Sequence, residues 1–258
     1  MENRAAKAYV QELLGNHPEL AAMVEALAAR VQGKGYEPGT STEIKAALGL
    51  LGSGAPGLAV DIGGNTGDYT ATLRALAPAL EIHVFEPSRT NIDKLTTRFA
   101  GDARTIIAPM ACGATAGMAT LYADTPGSGL ASLTRRDLDF IGIDFSTAET
   151  VRTITFEEYW ATALGQRTVD LVKIDVEGHE MDVLRGFGKA IARTRVIQFE
   201  FGGTHIDTGS FFRDFWQFFS GHGFRLFRLA PPGLLPITAY NETCESFLYM
   251  NYFAVAPR

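Results

Sequence analysis

The sequence predicts an α/β protein of the Rossmann-like kind, with a doubly wound, mostly parallel sheet of seven strands behind an N-terminal helical extension. Three observations predict it. From Leu58 onward short apolar runs alternate with segments of helical period, the pattern of a parallel sheet with crossover helices. The first run ends at Ile62 and passes directly into Gly63-Gly64-Asn65-Thr66-Gly67 and then a helix, so backbone amides and a helix N-terminus converge on one point. The second run ends at Glu86, about twenty residues beyond the turn, where a βαβ unit places a ribose-binding acid.

The elements follow in order. Two helices, Glu2–Leu14 and Pro18–Val31, come first, the second with Leu20, Met23, Val24 and Leu27 at helical spacing. Gly33, Gly35, Pro38 and Gly39 break the pattern, and Ser41 or Thr42 caps a third helix, Glu43–Leu51, before the loop at 52–57. Residues 1–57 are thus read as an extension and 58–258 as the Rossmann-like domain. Its strands are expected at Leu58–Ile62, Ile82–Glu86, Thr105–Ala108, Asp170–Asp175, Val196–Phe201, Arg225–Leu229 and Phe247–Val255. Helices are expected near Tyr69–Leu76, Ser88–Phe99, Glu180–Ile191 and Ser210–Gly221. The last carries Phe211, Phe212, Phe215, Phe218 and Phe219, a stripe that reads as core. A β-rich insertion at about 116–155 interrupts the alternation, with strands at Ala119–Ala123 and Val151–Thr155. Its Gly- and Ser-rich segment Thr125-Pro126-Gly127-Ser128-Gly129 reads as a cover over the crevice at the strand ends.

Composition narrows the function. A chain of 258 residues, 46% hydrophobic and 20% charged, has enough apolar surface for one large core. A net charge of -6 and a pI near 5.4 disfavour nucleic acid as partner, because phosphate-tracking surfaces concentrate Lys and Arg. The two cysteines, Cys112 and Cys244, have neither zinc-site spacing nor disulfide density. No leader-like apolar stretch or membrane-length run occurs, and the expectation is a cytoplasmic protein with no membrane partner.

The first turn expects S-adenosyl-L-methionine rather than a dinucleotide. A G-x-G-x-x-G register would place Ile62 where the first glycine belongs, and Asp61 would repel a pyrophosphate yet suits an amino group and a sulfonium. The candidate cofactor residues are Asp61, Gly63, Gly64, Asn65, Thr66, Gly67, Glu86, Pro87 and Ser88, with Met110 and Ala111 as adenine neighbours and Asp175 from the fourth strand. A nicotinamide-dependent oxidoreductase is the alternative, although a Tyr-x-x-x-Lys relay is lacking. A non-catalytic module on the same fold is the other, and the helical extension would suit a homo-oligomer.

Chemistry is expected at the end of the fourth strand. Asp175, Glu177 and His179 alternate, so in an extended chain they point to one side. His179, with an ordinary imidazole pKa of roughly 6.5, suits removal of a hydroxyl proton. It equally reads as a helix-start residue bonding a local carbonyl. Asp175 lines the site or orders the loop, and the group offers ligands to a divalent cation, though no metal is assigned. Glu200, in the apolar run Val196–Phe201, needs a partner or a substrate because an unpaired buried carboxylate is costly. His205 and Glu245 are further candidate acceptor contacts.

Asp61-Ile62-Gly63-Gly64-Asn65-Thr66-Gly67, Phe85-Glu86-Pro87 and Val169-Asp170-Leu171-Val172-Lys173-Ile174-Asp175-Val176-Glu177-Gly178-His179-Glu180 together resemble the FkbM family of methyltransferases. The likeness runs from about Leu58 to Phe201 and includes Gly129-Leu130-Ala131-Ser132-Leu133, which adds Ser132 to Glu177, His205 and Glu245 as candidate acceptor contacts. The resemblance implies a class I methyltransferase fold and S-adenosylmethionine-dependent O-methylation of hydroxyls on sugars, glycans or polyketide-type products. Asn65 stands where many methyltransferases carry glycine, and no acid follows Ala108.

Overall fold

Five apolar or neutralised residues in a row require cover on both faces, and Leu58–Ile62 (β1) is buried at every position. The computed structural model describes residues 2–52 and 56–257, so Ser53, Gly54 and Ala55 of the expected loop lie outside the described residues. Around β1 the chain adds Glu81–Phe85 (β2) and Thr105–Ala108 (β3) on one side. Val169–Ile174 (β7) and Thr194–Phe201 (β8) lie on the other. Met250–Val255 (β11) runs antiparallel between β8 and Arg225–Ala230 (β9), and Gly233–Ile237 (β10) closes the edge.

The resulting order is β10-β9-β11-β8-β7-β1-β2-β3. All pairs from β3 to β8 are parallel. Strand order reverses at β1, which has β2 on one flank and β7 on the other, and this opens a crevice at the carboxyl ends of those strands. The seven expected strands are all present. The eighth, β10, contains Pro236, which cannot donate to a ladder and so reads as a break in the sequence, yet an edge strand tolerates it. Glu86 falls one residue beyond β2.

Helices cover both faces. Asp68–Leu76 (α4) and Arg89–Arg98 (α5) pack on one, joined by Thr40–Leu51 (α3), whose Ile44, Ala47 and Leu51 are buried in the same cluster as Leu171, Val196 and Phe253. Helix α3 is therefore part of the packed sheet layer. Glu2–Asn16 (α1) and Pro18–Val31 (α2) precede it, and α2 buries no residue. On the opposite face lie Phe156–Thr162 (α6), Glu180–Arg185 (α7) and Phe212–Gly221 (α9), with the short Thr204–Thr208 (α8) before α9. Phe212, Phe215 and Phe219 are fully buried, and the rings of Phe215 and Phe199 stack at 5.0 Å. Each such side chain contributes about 1.5–3 kcal/mol by leaving water, so these three are core, whereas Phe211 of the expected stripe is exposed and Phe218 half-buried.

The insertion is a sheet of its own. Gly117–Ala123 (β5) pairs antiparallel with Thr147–Ile154 (β6), and Ala111–Cys112 (β4) lies parallel to β6. Helix α6 was not expected from the sequence; its seven residues are too few to establish a period. Its start is marked by Thr155, whose hydroxyl accepts the Glu158 amide at 3.2 Å.

Candidate active site

The turn after β1 depends on two glycines in the left-handed region, Gly63 at φ +86 and Gly67 at φ +87. A Cβ on Gly63 would lie 1.7 Å from the Asp175 carbonyl oxygen, so only glycine lets the β1 and β7 ends meet here. The Gly63 and Gly64 amides both donate to the Phe85 carbonyl, at 3.0 and 2.8 Å. The Glu86 carboxylate then fixes the next step. Its Oε2 accepts the Asn65 amide and its Oε1 the Ser88 amide, each at 2.8 Å. Burial raises the Glu86 pKa against the pull of those amides. Asn91 on α5, a residue the sequence did not single out, donates to Asn65 Oδ1 at 3.0 Å.

Above this turn lies a cavity of about 220 Å³. Gly63 and Asn65 line it from the turn, with Glu86 and Pro87 beyond β2. Met110 and Ala111 line it from the β3–β4 connection, and Asp175, Glu177 and His179 from the chain after β7. Ser132 reaches it from the insertion, whose Ser128, Gly129 and Leu133 also face it. Gly64, Thr66, Gly67 and Ser88 frame the turn without lining the cavity. Thr66 instead points its hydroxyl toward Asp68, at 3.4 Å.

Asp61 is not at the cavity surface. Side chains alternate along a strand, so with Ile62 facing the cavity Asp61 turns to the α4 side, fully buried. There Thr70 donates to its Oδ2 at 2.6 Å, and Lys173 Nζ stands 3.8 Å from Oδ1. The same ammonium sits 3.0 Å from Asp175 Oδ2 and 5.0 Å from the centre of the Tyr69 ring. Asp61 thus shares the Lys173 ammonium with Asp175, which lines the cavity.

His179 is held at both ring nitrogens. Nδ1 lies 2.8 Å from Asp182 Oδ2, and Nε2 lies 3.0 Å from the Thr134 hydroxyl of the insertion. Neither Asp182 nor Thr134 stood out in the sequence, although the three-residue step from His179 to Asp182 is a helical contact distance. Ser132 donates to the Glu177 carbonyl at 2.8 Å, and Arg136 bridges Glu177 at 3.6 Å and Asp207 at 2.8 Å. Glu177 itself adopts φ +53, a left-handed conformation uncommon outside glycine.

Residues 61–226 match the Methyltransferase FkbM domain. The chain belongs to this methyltransferase family. The family's methyl donor is S-adenosylmethionine, and the dinucleotide alternative falls with that assignment. No curated protein matches the chain. Among solved structures it is similar to an O-methyltransferase from Bacillus cereus in complex with SAH, at 12% identity over 97% of both chains and a TM-score of 0.45. A precorrin-6y C5,15-methyltransferase from Geobacter metallireducens matches at 12% identity, 83% of this chain, 87% of that one and a TM-score of 0.42. A fibrillarin pre-rRNA processing protein from Methanococcus jannaschii matches at 11%, 84%, 76% and 0.46. Likeness at this level ties none of their substrates to this methyltransferase. Among the described residues no helix is long and apolar enough to cross a membrane.

Three expected contacts of the methyltransferase sit away from the cavity lining. His205 is fully buried, with Nε2 2.9 Å from Glu180 Oε2, an ion-pair approach that is not aligned as a hydrogen bond. Glu180 in turn accepts the Val176 amide at 2.8 Å and the Gly178 amide at 3.1 Å, so His205 supports the loop beneath the site. Glu245 accepts the Phe212 and Arg213 amides at 2.9 and 3.0 Å and caps α9. Glu200 is directly paired with Asn251 in the β8–β11 ladder, outside the cavity lining.

The carboxylates at the strand ends share one field. Burial, then the charges of Asp175 and Glu180, push Glu177 above the usual carboxylate range, with Arg136 opposing. Burial, then Asp175 and Glu177, push Glu200 up as well. Burial opposes the charge of Lys173, but the adjacent Asp175 and Asp61 outweigh it and hold its pKa above the ordinary lysine value. The raised carboxyls bind protons more tightly in the folded chain than in the unfolded one. The stability they add is fully present below the unfolded value near 4.5 and is lost as pH rises through their folded values. Glu200→Gln, neutral at every pH, should therefore gain melting temperature over the wild type between pH 6 and pH 9, by about 2–4 °C for each kcal/mol recovered. Parallel melting curves across that range would mean that Glu200 ionises as freely as an exposed carboxylate.

Proposed function

We propose that this methyltransferase is an O-methyltransferase acting on a hydroxyl of a sugar, glycan or related natural product. The observation that carries the reading is a histidine with both ring nitrogens engaged on the cavity wall, next to two strand-end carboxylates. A hydroxyl must lose a proton as it is methylated, and an imidazole on the cavity wall supports reading His179 as the group that takes it. Asp175 can accept a hydrogen bond from a hydroxyl in the cavity, and Glu177, its pKa raised, can donate or accept one, which fits a polyhydroxylated acceptor. Glu200 supports the site through the field it shares with Asp175 and Glu177 rather than by contact.

The cavity suits S-adenosylmethionine in its chemistry. Ile62, Phe85, Met110 and Ala111 give an apolar wall for adenine, while Glu86, Asn65 and Asp175 give polar atoms for ribose hydroxyls and an amino group. When bound, the donor supplies a methyl activated by a sulfonium. The chain's own part is to align the acceptor oxygen, take its proton at His179 and exclude water.

The insertion supplies the cover. Gly127 and Gly129 bring it against Asn91 and Asn65, and Ser132, Thr134 and Arg136 tie it to the 177–179 loop. Hydrogen exchange over Gly127–Leu133 should slow several-fold when S-adenosylhomocysteine and an acceptor are both bound. Equal exchange with and without them would leave the segment an ordinary surface loop. The acceptor class is tested by transfer of a labelled methyl to nucleotide sugars, oligosaccharides and hydroxylated polyketides. A mass gain of one methyl on a sugar or polyketide hydroxyl is expected, and labelling confined to amines or carbon would overturn the reading.

A further inference from the structure

We infer that Asp182 is a positioning residue that holds His179 in the tautomer with the proton on Nδ1, leaving Nε2 as an acceptor to which the Thr134 hydroxyl donates until an acceptor hydroxyl replaces it. The inference rests on the reading of His179 as the base and adds to it a role in setting the tautomer for Asp182 and a place-holding role for Thr134.

Three distances carry it. Asp182 Oδ2 lies 2.8 Å from Nδ1, and the other oxygen of the same carboxylate, Oδ1, accepts Arg185 Nη1 at 2.8 Å. Asp182 is thus oriented from behind by Arg185, and its bond to His179 lowers the Asp182 pKa, so the carboxylate is ionised and can only accept. An imidazole facing an ionised carboxylate at Nδ1 must keep its proton there. The third distance is the 3.0 Å between Nε2 and Thr134 Oγ1. With Nδ1 protonated, Nε2 offers a lone pair and the threonine hydroxyl supplies the hydrogen. The bond at one ring nitrogen fixes the role of the other.

The consequence for transfer balances in atoms and charge. The acceptor O–H gives its proton to Nε2 while an oxygen lone pair forms the new O–C bond. The C–S bond breaks, and its electron pair returns to sulfur as a neutral thioether. His179 becomes an imidazolium whose charge faces Asp182. Thr134, carried by the insertion, marks the hydrogen-bond position that the acceptor hydroxyl takes over. The geometry also ties the readiness of the base to the seating of the insertion, because the same segment bonds Glu177 through Ser132.

The test needs no acceptor. In the ¹⁵N-histidine-labelled full chain with S-adenosylhomocysteine added, the two ring-nitrogen shifts of His179, assigned by their loss in His179→Gln, report the tautomer directly. The wild type should show a protonated Nδ1 and an unprotonated Nε2. Asp182→Ala should transfer the proton predominantly to Nε2, while Arg185→Ala, which keeps the carboxylate, should leave it on Nδ1. A wild-type spectrum with the proton on Nε2 would overturn the inference without any variant, and so would an unchanged tautomer in Asp182→Ala. Turnover separates the two readings. If His179→Ala costs activity but Asp182→Ala does not, the positioning role is wrong and the base stands. If Asp182→Ala costs about tenfold in kcat in the wild type and just as much in the His179→Ala background, Asp182 acts apart from His179 and the inference fails.

Discussion

His179→Ala is expected to lower methyl transfer by about a hundredfold or more while leaving affinity for S-adenosylmethionine within about twofold, the usual scale of general-base help. The split follows from position. His179 lines the cavity from the chain after β7, whereas Glu86 and Asn65, the groups proposed for the donor, come from the β1 and β2 ends. Removing the imidazole takes away the proton acceptor without disturbing the turn that Glu86 fixes. It also removes the partner of Asp182 Oδ2 and of the Thr134 hydroxyl, while Arg185 still holds Asp182 Oδ1, so some melting temperature will go with it. Single-turnover rates and donor calorimetry on the same preparation separate these effects. A variant that keeps its full rate and loses only stability would make His179 a helix-start brace, with Asp175 as the next candidate base.

The parts of this architecture that were legible in the sequence are those written in local period and spacing. β1, its glycine turn and α4 could be read because five buried residues, a left-handed turn and a helix start occupy eleven consecutive positions. The placing of Glu86 followed from βαβ geometry alone. Illegible parts depend on contacts between distant segments. Thr134 and Arg136 lie in an irregular stretch of the insertion with no period, and only folding brings them to His179 and Glu177. Strand alternation sets Asp61 and Ile62 on opposite faces, but only the folded sheet shows that Ile62 takes the cavity side. His205 reads as an acceptor contact in the sequence because α8 is five residues long, too short to show its burial. Gln198, Asn251 and Glu43 form a buried polar cluster, with Gln198 donating to Glu43 at 2.9 Å and to Asn251 at 3.0 Å. That cluster joins three segments spread over the chain, and it explains why α3 packs with the sheet.

Glu86→Ala should weaken S-adenosylmethionine binding by about 1.5–3 kcal/mol, roughly tenfold to a hundredfold in Kd, the scale of a hydrogen bond to a charged group. Two effects add in that loss. The acceptor proposed for the ribose hydroxyls is lost, and the Asn65 and Ser88 amides, now without Oε2 and Oε1, no longer brace the turn. Glu86→Gln tells them apart, because an amide keeps one carbonyl oxygen for a backbone donor but loses the second acceptor and the charge. If ribose recognition dominates, the glutamine variant should melt close to the wild type and still bind the donor several-fold more weakly. If bracing of the turn dominates, its affinity and its melting temperature should fall together. Calorimetry showing wild-type donor affinity in a folded Glu86→Ala protein would remove this carboxylate from the donor site and leave it as a clasp between the β1 turn and the start of α5.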